Sequence, residues 1–107
     1  MIIYKVIIQI EKKIEKEWLK WMYDVHIPEI MDLKIFYKSR LFSIIKIKEE
    51  EFSSFCIEYY CRSESQYNIY KEKYSKDLQT KHLEKFKGKF NGKRLILSLK
   101  NEFTAKI

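Results

Sequence analysis

Nine residues near the N-terminus, IIYKVIIQI (2–10), alternate between two sets. Ile2, Tyr4, Val6, Ile8 and Ile10 are wholly apolar, while Ile3, Lys5, Ile7 and Gln9 are mixed. Period two in a β-branched run predicts a strand with one face buried. Near Glu11 the period lengthens to 3.6, and KKIEKEWLKWMYDVH (12–26) puts Ile14, Trp18, Trp21 and Val25 on one helical stripe. Pro28 is expected to end this helix at Ile27, with PEIMDL making a short second turn. IFYKSRLFSIIKI (35–47) and FSSFCIEYYC (52–61) read as strands joined at an acidic tip, KEEE (48–51). Ser63 with Gln66 forms a capping-box pattern. It opens a second helix whose core stripe is Tyr67, Tyr70, Tyr74 and Leu78, continued by His82 and Phe86. Gly88 and Gly92 bracket the exit into a last strand, RLILSL (94–99).

The order is βαββαβ over one domain, residues 1–107. With a tight link only between the second and third strands, it predicts an α+β, ferredoxin-like sandwich: a four-stranded antiparallel sheet with both helices on one face. Parity assigns Phe55, Ile57, Tyr59, Cys61, Leu95, Leu97 and Leu99 to the helix side along with the even residues of the first strand. The opposite face then carries Ile3, Lys5, Ile7, Phe36, Lys38, Arg40, Phe42, Ile44, Glu58, Tyr60 and Ile96. Such a face spans roughly 450 Å² in projection, near the largest apolar patch a monomer exposes. A two-fold homodimer with sheets face to face is therefore expected, its interface drawn from Ile3, Lys5, Ile7, Phe36, Lys38, Phe42, Ile44, Glu58 and Ile96.

Charge adds an alternative. The 107 residues carry a net +7, of which residues 71–94 hold +6. That segment is a candidate for binding a polyanion. However, 19 of the 22 basic residues are lysine, in a chain rich in Ile, Tyr and Phe and poor in Ala, Gly and Pro. This is the look of an AT-rich genome, and lysine is less selective for phosphate than the arginine fork. Nucleic acid is not expected, because the third strand lacks the glycines and leading basic residue of an RNA-recognition strand. Cys56 and Cys61 lie five apart in one strand, on opposite faces, and cannot bridge each other. No apolar run spans a bilayer and no signal-peptide pattern precedes the first strand, so a cytoplasmic protein is expected.

Candidate chemistry centres on EWLKWMYDVHIPEIM (17–31), which holds both tryptophans, the only proline and His26. Trp18 and Trp21 read as core residues whose indole N–H groups need partners. His26 reads either as a helix-end residue or as a ligand contact and candidate general base, since histidine titrates near neutrality. Antiparallel helices put His26 and His82 toward opposite ends of the sandwich. No metal site or cofactor is expected, for no His/Cys/carboxylate cluster has ligand spacing and no phosphate loop or nucleophile elbow occurs.

WLKWM (18–22), HIP (26–28), Phe36 with Arg40 and Leu41, and HLEKF (82–86) resemble an uncharacterised family of short bacterial proteins, domain of unknown function 4286, over essentially the whole chain. W-x-x-W-x-x-x-x-H-x-P is its most specific string. The family in turn resembles the dimeric α/β-barrel superfamily of small monooxygenases, isomerases, haem-degrading proteins and ligand-binding domains. That resemblance implies a pocket between the sheet and the first helix, at Trp18, Trp21, Met22 and His26, for a small apolar or aromatic ligand. A dimeric binding or interaction protein is the leading expectation. The alternative is a cofactor-independent enzyme on an aromatic or enolizable substrate, with His26 as base and Arg40 or Tyr60 as polar partners from the sheet.

Overall fold

The computed structural model describes residues 1–45 and 51–106; of the acidic tip only Glu51 falls within them. Its elements are β1 (Ile2–Glu11), α1 (Glu15–Trp21), α2 (Ile27–Met31), β2 (Lys38–Ser43), β3 (Phe52–Cys61), α3 (Glu64–Lys73), α4 (Ser75–Lys85) and β4 (Phe90–Ser98). The four strands form one antiparallel sheet in the order β2-β3-β1-β4. Both helical crossovers lie on one face, the ferredoxin-like arrangement that the sequence predicts. Among the described residues no helix is long and apolar enough to cross a membrane.

The register makes the even set of β1 the floor of the core. Ile2 pairs with Cys61, Tyr4 with Tyr59, Val6 with Ile57 and Ile8 with Phe55. Trp18, Met22, Ile30, Tyr70, Leu78 and Phe86 close over them from the helices. The molecule measures 40 × 40 × 21 Å. One sheet layer and one helix layer of about 10 Å each fill the short dimension. Among the described residues nothing covers the sheet's other face.

The first crossover departs from its predicted geometry. Pro28 does not end the helix; α1 runs into α2 through a widened π turn, Met22–His26. Ile27 N–H donates five residues back, to Met22 O. Pro28 has no N–H to place, so a widened turn accommodates it where a regular helix would lose a bond and meet the ring. The inward residues consequently recur every fourth position: Trp18, Met22, His26 and Ile30 are buried, while Val25 is 46% exposed. Periodicity at 3.6 had put Val25 inside. The second crossover is broken between α3 and α4, where Ser75 Oγ–H donates to Lys71 O at 2.8 Å and competes with the helical ladder. Tyr74, at the break, turns outward. Ser63 caps α3, its Oγ accepting from Gln66 N–H.

β4 also differs. It begins at Phe90, four residues earlier than predicted, with Phe90 opposite Ile10 and its ring edge-on to His82 at 4.4 Å. That anchor, with Glu11 N–H donating to Lys89 O after Gly88 turns at φ +77°, sets the register. Parity is thereby inverted from the prediction: Arg94 and Ile96 share the helix side with Val6 and Tyr4, while Leu95 and Leu97 join Lys5 and Ile3 on the open face. A strand reading that started at Arg94 missed the residue that decides its orientation.

Two predicted interface residues are thus displaced. Ile96 faces the helix side. Phe36 precedes β2 and is buried among Tyr4, Tyr59 and Tyr70. Ile3, Lys5, Ile7, Lys38, Phe42 and Glu58 do lie on the uncovered face, by register. Ile44 continues that side beyond β2, with its N–H on Ser54 O.

Candidate functional site

The π turn has a chemical consequence: it rolls His26 from the flank of the helix into the interior. There the ring of Trp21, five residues earlier, stacks on it at 4.7 Å between centroids and 18° between planes. His82 arrives from α4, 5.8 Å away. The two histidines expected at opposite ends of the sandwich are neighbours. Antiparallel helices do separate their ends, but α4 is long enough to bring His82 back over α1, and the widened turn delays His26 until it faces the same space.

Trp18 Nε1–H donates to His82 Nε2 at 2.9 Å in the core. An accepting Nε2 carries no proton, so neutral His82 holds its hydrogen on Nδ1. The indole partner foreseen for a buried tryptophan is this imidazole. His26 Nδ1 is buried with no hydrogen-bond partner. Burial, outweighing nearby Glu29 and helped by Lys81 and Arg94, lowers the His26 pKa to about 4. Burial, then His26 and Arg94, lower that of His82 to about 4. Both rings are neutral at physiological pH.

The histidines line a cavity of about 30 Å³ between helices and sheet, with Met22, Ile30, Tyr4, Tyr70, Gln79 and Arg94 among its other walls. Its volume suits about one water molecule. Outside it, between α4 and β4, runs a groove of about 340 Å³. Gln79 and Arg94 line both spaces. Arg94 Nε–H donates to Tyr4 Oη at 3.1 Å.

Of the predicted site residues, His26 and Met22 reach the cavity directly and Trp18 and Trp21 support its histidines. Arg40 and Tyr60 do not join them. Both lie on the open face, where Arg40 pairs across β2–β3 with Glu58 and Lys38 with Tyr60, so the sheet separates them from His26. There Arg40 Nε–H donates to Tyr60 Oη at 3.1 Å, Tyr60 O–H donates to Glu58, and Lys5 Nζ lies 3.3 Å from Glu58. Partial burial opposes ionisation of Glu58, but Tyr60, Lys5 and Arg40 outweigh it and hold the carboxyl below its ordinary range. Tyr4, Tyr70, Gln79, His82 and Arg94 were missed as site residues. For His82 the signal was present in the stripe Leu78, His82, Phe86; for Arg94 it required the register of β4.

Among the described residues no group of three or more His, Cys, Asp or Glu side chains is placed to hold a metal. Within the basic segment, Lys81 is paired with Glu29.

Comparison with known proteins agrees with this architecture. The fold is similar to that of HapK from Hahella chejuensis, at TM-score 0.66 and 9% identity over 99% of both chains. It is similar to an ethyl tert-butyl ether d (ethd) family protein from Bacillus halodurans, at TM-score 0.58 and 17% identity over 92% of this chain and 99% of that one. A dimeric ferredoxin-like protein from an uncultured marine organism matches at TM-score 0.53 and 11% identity, over 94% of this chain and 98% of its own. At these identities the likeness is one of fold. No curated protein matches the sequence. The family model described as Domain of unknown function (DUF4286) matches residues 1–100.

Proposed function

The chain belongs to the DUF4286 family, and from that premise we propose that it is a homodimeric small-molecule-binding protein. Its ligand lies in the groove between α4 and β4 with a polar end turned toward the cavity at His26, and a second copy covers the open sheet face. The binding reading is carried by one observation: a buried, unpartnered imidazole nitrogen at the wall of a cavity. Buried polar atoms are nearly always paired, and here the partner is a water or the polar end of a ligand whose body lies in the adjoining groove. Binding is favoured over proton abstraction because a base with a pKa of about 4 has little driving force at neutral pH.

The dimer rests on the open face. With the observed strand lengths it spans about 550 Å² in projection. Ile3, Ile7, Phe42, Ile44, Leu95 and Leu97 are distributed over it, and one protein of the same fold is a dimer. Leu95 and Leu97 take the places of Ile96 and Phe36 on this face, so its apolar content stays as the sequence reading assumed. Stable interfaces bury about 800 Å² per partner, which a face of this span approaches once side-chain relief is counted.

Sedimentation equilibrium at micromolar concentration tests the assembly: the expected mass is twice the 13.2 kDa protomer, and Phe42→Asp returns it to the protomer mass. A wild-type monomer overturns the dimer. For the pocket, small aromatic compounds are titrated while Trp18 and Trp21 fluorescence is followed, with His26→Leu as the variant. Responses that are unchanged in His26→Leu overturn the cavity as the binding site.

A further inference from the structure

Arginine is scarce in this chain, with three against nineteen lysines. Arg94 occupies a helix-facing position of β4, between Gly92 and Ile96. Its Nε is held by Tyr4 Oη. Among the described residues no carboxylate forms an ion pair with it. A guanidinium anchored at Nε presents its two terminal nitrogens as a planar fork, the geometry that matches a carboxylate.

The surroundings define the rest of the ligand. The groove is walled by Leu83 on α4 and Phe90 on β4, and Leu83 is half exposed there. Gly92 leaves its floor without a side chain; the nearest atoms to a Cβ at that position would be Ile7 O, Ile8 Cγ1 and Phe90 Cε2, at ordinary contact distances of 3.6–3.7 Å. The groove thus sets two apolar side chains among the polar Ser75, Lys76, Gln79 and Thr80, with Arg94 at the end where it also walls the cavity of the two imidazoles. Its volume is that of a small-ligand pocket.

We propose that the groove between α4 and β4 binds a small monocarboxylate with an apolar body, its carboxylate on Arg94 and its body against Leu83 and Phe90. This assignment rests on the pocket reading above and names its ligand class. The carboxylate lies within the partition formed by Arg94 and Gln79, which places the ligand's polar end toward His26.

Calorimetric titration of the wild-type protein with benzoate, hexanoate, benzamide and hexanamide tests this. Each acid is expected to bind at least tenfold more tightly than its amide. Arg94→Gln should reduce the acids to the level of the amides, while the charge-matched Arg62→Gln leaves them within twofold of wild type. Gly92→Leu, which fills the slot from an exposed edge strand, should weaken acids and amides alike. Equal binding of acid and amide, both weakened by Gly92→Leu, overturns the carboxylate assignment and leaves the pocket standing. No response to any of the four compounds overturns both.

Discussion

Two neutral histidines buried side by side make the protein sensitive to mild acid, and the size of the effect follows from their surroundings. In the unfolded chain each imidazole titrates near 6.5. In the folded protein each is lowered to about 4, chiefly by burial. A depressed imidazole contributes nothing above pH 6.5, where both states are neutral. As pH falls from there toward 4 the unfolded chain takes up protons that the native state refuses, so stability declines; below the folded value the loss levels off. At pH 5 the penalty is about 2 kcal/mol for each histidine and about 4 kcal/mol for the pair. Total stabilities of about 5–15 kcal/mol make that a large fraction. Glu58, whose carboxyl is held below its ordinary range, contributes stability that is lost only at lower pH, as the medium falls through its folded value, so the window from 7 to 5 isolates the imidazoles. Urea unfolding followed by tryptophan fluorescence at pH 7.5 and pH 5 measures the difference. For a slope of about 2 kcal/mol/M the midpoint should drop by about 2 M. His26→Gln should halve the drop, and adding His82→Gln, which keeps an acceptor for Trp18, should nearly abolish it. Midpoints within about 0.3 M of each other at the two pH values would refute the reasoning, as would an undiminished drop in the double variant.

Other outcomes follow from single contacts. Trp18→Phe leaves His82 Nε2 without its donor; unfolding free energy should fall by about 1–3 kcal/mol, and a change under about 0.5 kcal/mol would show that the bond contributes little. Ser63→Ala removes the cap of α3 and should cost about 1 kcal/mol in a thermal melt, with no loss of ligand response. Cys61 is fully buried and Cys56 half-buried, and burial raises both thiols. Disulfide-reagent labelling at pH 7.5 should therefore be slow for Cys56 and reach Cys61 only on unfolding; rapid modification of Cys61 would contradict its packing.

Legibility varied along the chain for identifiable reasons. β3 was readable to its bounds, Phe52–Cys61, because one face is apolar from Phe55 to Cys61 and a capping serine follows it. The same alternation correctly put Tyr59 on the helix side and Tyr60 on the open face. β4 misled because Leu95, Leu97 and Leu99 outweigh Arg94 and Ile96 in hydrophobicity, although an edge strand can bear leucines on a face that the described residues leave uncovered. Phe36 misled through its distance from β2: parity holds only inside the ladder, and two residues before Lys38 the chain already turns into the core. His26 was recognised as a candidate but placed at a helix end, because a stripe counted at 3.6 residues per turn cannot anticipate a turn of wider pitch.

The order of elements, the antiparallel topology and the existence of one half-apolar sheet face were determined by local pattern alone, since period, caps and turn residues act within a few residues of themselves. The meeting of His26 with His82, the donor that Trp18 gives to that imidazole, and the entry of Arg94 into the cavity wall were decided by tertiary structure. Each depends on a helix pitch or a strand register set by contacts between segments far apart in the chain, from Phe90 under His82 to Arg94 against Tyr4, and no local window contains both partners of such a contact.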